Sequence, residues 1–280
     1  MPRTYGSTQG LTLLGGLDEL GKLVFTTADA LAVGQARSLV PRQVYPALLR
    51  LEAAEWIRRI RRGLYAVTGK LPGSTAPHDY AIATAIYTPS ALSHRTALQF
   101  HGLSEQVAKV ITCTTTAKVV TPAMRRGRRS SRQRASTWEV EGLKIRFVSV
   151  NPRRFFGVEA TWVDARTRVP ITDRERTVLD LVADPAWAGG FGEALWVLEA
   201  HRRALDLPKL VSYALRFGVI AVAKRLGWAL ESFGVDEGIL APLLALPVQR
   251  VQPLDPRREP RGPVVARWRL QDNLSAQVRR

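Results

Sequence analysis

The 280-residue sequence predicts an α+β fold, in which a small helical domain with a β-hairpin is followed by a mixed α/β domain. Three observations near the N terminus support this prediction. Leucines recur at helical spacing from Leu11 to Leu20, a capping motif precedes a second helical stretch, and two β-prone runs flank a turn at Gly63. No repeat of 20–50 residues is present, which excludes a solenoid or propeller.

The ends of the first two helices are marked by turn and capping residues. Gly21 is typical of the residue after a helix, although Gly15-Gly16 lowers the helix propensity of the same segment. Thr26 and Asp29 have the spacing of a capping box, which predicts that a second helix begins there. We expect Gly34 to end this helix.

A third helix is expected from Pro41, since proline is favoured at the first helical position. Val44, Leu48 and Leu51 would then form one buried stripe. Pro46 conflicts with this helix because it lacks the amide hydrogen that a helix interior needs. Either the helix begins later, with Pro46 in its first turn, or it is kinked there.

The β-prone residues 56–60 and 64–67 flank a short basic turn, which predicts a hairpin. Helix, short strand, helix, helix and hairpin is the order of a winged helix-turn-helix. In such folds the third helix enters the major groove of DNA and the hairpin lies on the adjacent backbone. The predicted DNA-binding residues belong to these two elements: Arg42, Gln43, Tyr45, Arg50, Arg58, Arg59, Arg61 and Arg62.

Residues of the third helix can reach base edges or phosphates, and the four hairpin arginines can bind phosphates and release counterions. The alternative is that the basic hairpin belongs to a protein-interaction module and meets an acidic partner.

The net charge of +17 is concentrated in three segments: residues 1–70 carry +5, residues 118–134 carry +7 and residues 250–280 carry +5. Such focused charge indicates a polyanion-binding surface. The middle segment is either a second nucleic-acid or partner patch or a solvated loop, and the two interpretations stay open. Its candidate residues are Arg125, Arg126, Arg128, Arg129, Arg132 and Arg134.

Proline and glycine near residues 71–77 predict a linker, and therefore domains at 1–72 and 73–280. In the second domain we expect helices over residues 79–87 and 90–100 and hairpins over residues 138–150 and 161–171. A capping box at Thr172 and Glu175 would open a further helix, and residues 264–270 would form a late strand.

Several classes of protein are excluded by composition. No apolar run approaches the length of a membrane span, and the N terminus lacks the apolar core of a signal peptide. One cysteine, Cys113, allows neither a disulfide framework nor a cysteine zinc cluster. We therefore expect a cytoplasmic, nucleoid-associated protein without cofactor, metal or membrane partner.

The sequence contains no common catalytic motif of nucleotide-binding enzymes, zinc proteases or serine hydrolases. Asp173, Glu175 and Asp180 suggest a metal-dependent nuclease, but no lysine accompanies them in the sequence. Acidic residues at a helix start also favour the helix dipole and pair with neighbouring arginines. We expect this structural role and no catalytic residue, and a nucleic-acid-modifying enzyme is kept as the alternative.

The chain resembles the AbiEi-type antitoxins from its N-terminal domain onward. The motifs that carry the resemblance, in order, are Phe25-Thr26-Thr27-Ala28-Asp29-Ala30, Trp56-Ile57-Arg58-Arg59-Ile60-Arg61-Arg62-Gly63-Leu64-Tyr65, Ser93-His94-Arg95-Thr96-Ala97-Leu98, His101-Gly102-Leu103, Phe155-Phe156-Gly157, Asp173-Arg174-Glu175-Arg176 and Ala223-Lys224-Arg225-Leu226-Gly227. Pro46 departs from the family pattern, in which the recognition helix usually has a helix former at this point.

The resemblance implies the transcriptional regulator of a type IV toxin–antitoxin system. Such a protein represses its own operon through the winged domain, so the implied partner is the double-stranded operator DNA of that operon. The C-terminal domain is implied to counteract a nucleotidyltransferase toxin without forming a stable complex with it.

Overall fold

The computed structural model describes residues 8–70, 73–125, 137–140, 142–187 and 189–274, apart from the side chains of Ala123 and Arg125. The chain divides into two compact units. Unit 1 comprises Met1–Ser90, Ala117–Ile145 and Ala160–Pro170, and unit 2 comprises Ala91–Thr116, Arg146–Glu159 and Ile171–Arg280. The predicted domain limits at residues 72 and 73 stay a prediction.

Helices and strands are both abundant, which confirms the predicted mixture. The α-helices of the described residues are α1 (Thr8–Glu19), α2 (Thr27–Ala36), α3 (Pro41–Ala53), α4 (Asp79–Ala85), α5 (His94–Phe100), α6 (Pro122–Arg125), α7 (Arg174–Ala183), α8 (Phe191–His201), α9 (Leu207–Phe217), α10 (Ile220–Ser232) and α11 (Glu237–Leu244). None of these helices is long and apolar enough to cross a membrane.

The strands form two small sheets and one larger sheet. Their bounds are β1 (Val24–Thr26), β2 (Ile57–Arg61), β3 (Leu64–Val67), β4 (Ser90–Leu92), β5 (Ile111–Thr115), β6 (Thr137–Val140), β7 (Leu143–Ser149), β8 (Val158–Trp162), β9 (Arg168–Thr172), β10 (Gln252–Pro253), β11 (Val264–Val265) and β12 (Leu270–Gln271). The orders are β1-β3-β2, β10-β12-β11 and β6-β7-β5-β4-β9-β8.

Helices α1–α3 and the sheet β1-β3-β2 share one apolar core. The buried side chains are Leu13, Leu14, Leu17, Leu23, Phe25, Ala30, Val33, Val44, Leu48, Leu51, Ile57 and Val67. The predicted stripe of α3 is therefore confirmed as its buried face. Gly21 follows α1 with φ +66 and donates its N–H to the carbonyl of Asp18, as expected at a helix end.

Two glycines of this core permit close helix packing. A Cβ on Gly16 of α1 would lie 2.5 Å from Val33 Cγ1, and a Cβ on Gly34 of α2 would lie 2.6 Å from Val44 Cγ2. The prediction that Gly34 ends α2 is wrong, because α2 continues to Ala36. Gly34 is required by the approach of α3 and not by a turn.

Pro46 lies inside α3, which begins at Pro41 as first predicted. The alternative of a later start is therefore wrong. Because proline has no N–H, the carbonyl of Arg42 lacks its usual helical donor four residues on. Pro46 is partly exposed and Arg42 is exposed, so solvent reaches this side of the first turns.

The larger sheet contains both predicted hairpins, since β6 neighbours β7 and β8 neighbours β9. The predicted helix over residues 90–100 is wrong in its first part. Ser90–Leu92 forms β4, which pairs in parallel with β9 through Leu92 and Ile171. All three residues of β4 are buried, and a short strand that is buried on both faces shows no alternating pattern.

Helices α7–α11 pack around a second core in unit 2. Its fully buried members include Val178, Leu179, Leu181, Phe191, Leu198, Leu210, Leu226, Leu230, Leu243 and Trp268. A Cβ on Gly227 of α10 would lie 2.2 Å from Trp268 Cζ3, so the indole lies directly on the backbone of α10.

Two local predictions for unit 2 are wrong. The helix cap of α7 is Asp173, whose side chain accepts the N–H of Arg176 at 2.8 Å, while Thr172 is the last residue of β9 and contacts Thr177. The expected strand over residues 264–270 is interrupted by a 3-10 turn at Ala266–Trp268, because the Trp268 side chain must turn inward to the core.

Candidate nucleic-acid interface

The face of α3 opposite its buried stripe is open to solvent. Arg42, Arg50, Tyr45 and Leu49 are exposed on it, the last two to 50% and 66%. Spacings of three, four and seven residues place Arg42, Tyr45 and Leu49 on one side of the helix, and Arg50 lies at the edge of this face. This face combines two cations with an aromatic side chain, which are groups suited to phosphates and base edges.

Gln43 is occupied by a contact within its own helix. Its Oε1 accepts the backbone N–H of Val40 at 2.9 Å, and the side chain is half-buried. Val40 precedes the helix and has no polar side chain that could cap it. Gln43 therefore stabilises the start of α3, and the contact with base edges or phosphates that is expected of it stays a prediction.

The predicted hairpin is formed by β2 and β3 with Gly63 at the turn. Gly63 has φ +75, a left-handed conformation that favours glycine. The register shifts between Arg59 and Arg61, so that Arg59 pairs with Tyr65 and Arg61 with Leu64. This bulge leaves Ile60 buried and Arg59 exposed.

The four hairpin arginines are in different environments. Arg61 donates from Nε to the carbonyl of Ile86 at 2.9 Å and from Nη1 to the carbonyl of Arg62 at 3.2 Å. Arg58 is half-buried, whereas Arg59 and Arg62 are exposed. Of the four, Arg59 and Arg62 are therefore the most open to solvent, and the phosphate role predicted for the hairpin arginines stays a prediction.

The turn of the hairpin is tied to the helices of unit 1. The N–H of Thr27, at the start of α2, donates to the carbonyl of Gly63 at 3.0 Å. The start of α2 is itself held by the predicted capping box, which is confirmed: Thr26 Oγ1 accepts from the N–H of Asp29 at 3.1 Å, and Asp29 Oδ2 accepts from the N–H of Thr26 at 2.8 Å.

The carboxylate of Asp29 is stabilised by this cap. Burial alone would raise its pKa, but the hydrogen bonds from Lys22 and from Thr26 outweigh burial and lower the pKa. The ionised capping group therefore persists well below neutral pH and keeps the α2 start, and with it the hairpin turn, in place.

One side of the hairpin carries both positively and negatively charged side chains. Arg58 and Arg59 line a groove of about 360 Å³ together with Glu52 and Glu55, and Glu55 forms an ion pair with Lys70. These carboxylates weaken the attraction of the groove for a polyanion, although Arg59 itself is exposed to solvent. The Arg62 end of the hairpin is the more favourable side for a phosphate.

The second predicted patch lies almost wholly outside the described residues. Arg125 is the last residue of α6, and only its backbone is described. Arg126, Arg128, Arg129, Arg132 and Arg134 lie outside the described residues. Their role stays a prediction.

The acidic cluster of unit 2 has a lysine partner that the sequence did not indicate. Lys209 of α9 lies 3.1 Å from Asp173 Oδ2 and 2.8 Å from Glu175 Oε2. The expectation that no lysine accompanies these carboxylates is wrong, because Lys209 is 34 residues beyond Glu175 and the packing of α9 on α7 brings it near. No local signal could have revealed this pairing.

The oxygens of Asp173 and Glu175 are all engaged within the protein. Asp173 caps α7 and accepts from Tyr213 at 2.8 Å, while Glu175 Oε1 accepts the N–H of Asp206 at 3.0 Å. Asp180 instead pairs with Arg176 at 2.9 Å. Within the described ranges, no three histidine, cysteine or acidic residues are grouped to hold a metal ion.

The pKa values of Glu175 and Lys209 follow from the contacts between them and their neighbours. Burial alone would raise the pKa of Glu175, but hydrogen bonds from Lys209 and Asp206 lower it overall. Burial alone would lower the pKa of Lys209, but Glu175 and Asp173 raise it above its ordinary value. Glu175 and Lys209 are thus both stabilised in their charged forms, as in a structural ion pair.

A solved protein structure has a fold similar to that of this chain. The crystal structure of RV2827C protein from Mycobacterium tuberculosis superimposes with a TM-score of 0.53 at 16% identity, over 96% of this chain and 92% of that chain. At this identity the similarity concerns the fold alone. None of the curated proteins compared with the chain matches it.

A protein-family model matches the part of the chain that contains the helices and hairpin described above. The family model described as a transcriptional regulator, AbiEi antitoxin, matches residues 17–68. This stretch runs from α1 to the end of β3 and includes every predicted DNA-binding residue. Over these residues the chain is similar to the AbiEi antitoxin transcriptional regulators, in agreement with the resemblance predicted from its sequence.

Proposed function

We propose that residues 8–67 form a winged helix-turn-helix that binds double-stranded DNA, and that the chain represses its own operon. The observation that carries this proposal is the exposed face of α3 with Arg42, Tyr45 and Arg50, in the part of the chain that matches the family. The exposed Arg59 and Arg62 of the hairpin supply further cations.

The two elements have different roles in this proposal. The helix α3 enters the major groove, where Tyr45 and its neighbouring arginines contact bases and position the helix. Arg59 and Arg62 bind phosphates, which adds affinity without sequence preference. Arg61 supports the hairpin through its hydrogen bond to the carbonyl of Ile86.

The similarity to this family supports a wider proposal for the rest of the chain. The protein is a cytoplasmic, nucleoid-associated antitoxin without enzymatic activity, and residues 73–280 counteract a nucleotidyltransferase toxin without a stable complex. The full occupation of the Asp173 and Glu175 oxygens by protein groups supports a structural role for the acidic cluster over nuclease chemistry.

The DNA interface is tested by fluorescence anisotropy with a duplex from the promoter of the chain's own gene and a scrambled duplex, over a range of salt concentrations. Arg59→Ala with Arg62→Ala should weaken binding to both duplexes and reduce the slope of log K against log salt by about 2, one for each lost phosphate contact. The matched control, Arg153→Ala with Arg203→Ala, removes two exposed arginines of unit 2.

An unchanged salt slope in the hairpin variant would contradict the phosphate role. If the wild-type chain binds neither duplex at low salt, the whole DNA proposal fails and a protein-interaction module is favoured instead. Tyr45→Ala should reduce the preference for the promoter over the scrambled duplex by about 1–3 kcal/mol, whereas Leu20→Ala, another exposed side chain, should not change it.

The antitoxin role is tested separately by growth of cells that express a nucleotidyltransferase encoded beside this gene. The Arg59→Ala and Arg62→Ala variant, supplied from an independent promoter, should still restore growth, since residues 73–280 are intact. Loss of rescue together with normal protein levels would contradict the division of the two functions.

A further inference from the structure

A cavity in unit 2 is surrounded by three cationic side chains. Arg95, Lys109 and Arg146 line it together with Thr112 and Trp187, and its volume is about 350 Å³. Its other lining residues, Val107, Ala108, Val110 and Ala186, are apolar, so that no acidic side chain contributes to the wall. The cavity is distinct from the α3 and hairpin surface, which belongs to unit 1.

None of these three cations forms an ion pair with a described residue. Other cations of unit 2 are neutralised: Arg176 pairs with Asp180, Lys209 with Glu175 and Arg258 with Asp255. Like charges around one cavity repel each other. A bound anion would remove this repulsion.

Arg146 gives a second indication that the cavity binds a ligand. Its Nε is buried and has no hydrogen-bond acceptor among the described residues. Its guanidinium lies 5.4 Å from the centre of the Trp187 ring, which fixes the direction of the side chain. A buried donor without an acceptor is unfavourable, and it indicates that a ligand or water supplies the acceptor.

The walls of the cavity are held by hydrogen bonds. The side chain of Arg95 donates to that of Gln106, and Gln99 Oε1 accepts the N–H of Ala108 at 2.8 Å. Trp187 Nε1 donates to Asp184 Oδ2 at 3.1 Å, and its ring lies 4.8 Å from that of His94. These contacts position Arg95, the backbone next to Lys109 and the ring beside Arg146 before any ligand arrives, which favours binding.

We propose that this cavity binds a phosphate ester of the size of a nucleoside monophosphate. Three cations suit a phosphate monoester, which carries a charge of about −1.5 to −2 at neutral pH, and arginine matches its oxygens in pairs. The volume is at the lower end of the range of about 300–1,000 Å³ for small-molecule sites. The apolar wall accommodates the uncharged part of the ester.

The test is isothermal titration calorimetry of the full chain with the four common ribonucleoside 5′-monophosphates, their nucleosides and inorganic phosphate. At least one monophosphate should bind, and its nucleoside should bind at least tenfold more weakly. Arg95→Ala with Lys109→Ala should weaken binding at least tenfold, and so should Arg146→Gln. Thermal unfolding of each variant shows whether the fold is retained.

Two matched variants separate this cavity from other basic surfaces. Arg153→Ala with Arg203→Ala changes the net charge equally within unit 2 but does not alter the cavity wall, so affinity should be unchanged. Arg59→Ala with Arg62→Ala should also leave monophosphate affinity unchanged. Absence of binding by every monophosphate at millimolar concentration, or equal weakening by the control variants, would overturn the proposal.

Discussion

The side chain of Arg61 donates a hydrogen bond from Nε to the carbonyl oxygen of Ile86 over 2.9 Å. Arg59, two residues earlier in the same basic run, is exposed to solvent. The run of hairpin arginines therefore contains a structural residue next to a residue that can meet a phosphate. The backbone bulge between them produces the difference, because it changes the face on which each side chain lies.

Replacement of Arg61 by alanine should lower the free energy of unfolding by about 1–3 kcal/mol, since it leaves the carbonyl of Ile86 without its donor. The exposed Arg59→Ala should change the free energy by no more than about 0.5 kcal/mol. Urea unfolding of both variants measures the difference. Equal stability of the two variants would show that the Arg61 hydrogen bond does not support the hairpin.

Gly34 should not tolerate a methyl group, because its Cβ would lie 2.6 Å from Val44 Cγ2. We expect Gly34→Ala to destabilise the protein by about 1–3 kcal/mol through overpacking. Gly15→Ala is the matched control: it lies in α1 with nothing within 4 Å of its Cβ position, and it should stabilise by about 0.5–1 kcal/mol. Thermal or urea unfolding gives both values.

The overpacking explanation has a direct check in a double variant. Val44→Ala removes the atom that the new methyl group would meet. Gly34→Ala should therefore lower the free energy of unfolding less in that background than in the wild-type chain. If the cost is the same in both backgrounds, the contact with Val44 is not its cause.

Arg176 should be essential for the fold of unit 2. It is 1% exposed, donates to Asp180 at 2.9 Å and to the carbonyl of Phe156 at 3.0 Å, and lies over the Phe156 ring. Arg176→Ala leaves the buried Asp180 uncompensated, and we expect a loss of about 3–5 kcal/mol in urea unfolding.

The exposed neighbour Arg174 provides the control for this experiment, since Arg174→Ala removes the same charge from the same helix and should have little effect. Asp180→Leu added to Arg176→Met should recover part of the stability, because it removes the uncompensated carboxylate. A similar loss of stability in Arg174→Ala would show that the effect comes from changing the helix and not from breaking the buried ion pair.

The pairing of Glu175 with Lys209 predicts a pH dependence. Burial would raise the pKa of Glu175, but the hydrogen bonds from Lys209 and Asp206 lower it below its ordinary value of 4.5. A carboxylate with a lowered pKa in the folded state stabilises the protein above its unfolded pKa, and this contribution is lost as the pH falls through its folded pKa. Glu175→Gln should therefore be less stable than the wild-type chain near pH 7, with a difference that narrows below pH 4.5.

This difference is measured by urea unfolding of both chains from neutral to acidic pH. Comparing the two chains cancels the contributions of the titratable groups that they share. These include His94, whose pKa is lowered by burial. A stability difference that stays constant across the acidic range would contradict the ion-pair assignment.

Several elements were predictable because their causes are local. The capping box of Thr26 and Asp29, the buried stripe of α3 and the hairpin turn at Gly63 all depend on residues within one turn or one helix of each other. The candidate DNA-binding residues followed from these elements, and their exposure could not be predicted. Gln43 is engaged at the start of its helix and Arg61 at the carbonyl of Ile86.

The sequence by itself therefore determined the order of the N-terminal elements, the concentration of positive charge and the resemblance to the AbiEi antitoxins. Tertiary structure decided which arginines remain free, why Gly34 lies within a helix and which lysine meets Glu175. The physical reason is distance along the chain. A cap or turn is chosen by neighbouring residues, whereas helix packing and buried ion pairs join residues far apart in sequence, and no local pattern encodes them.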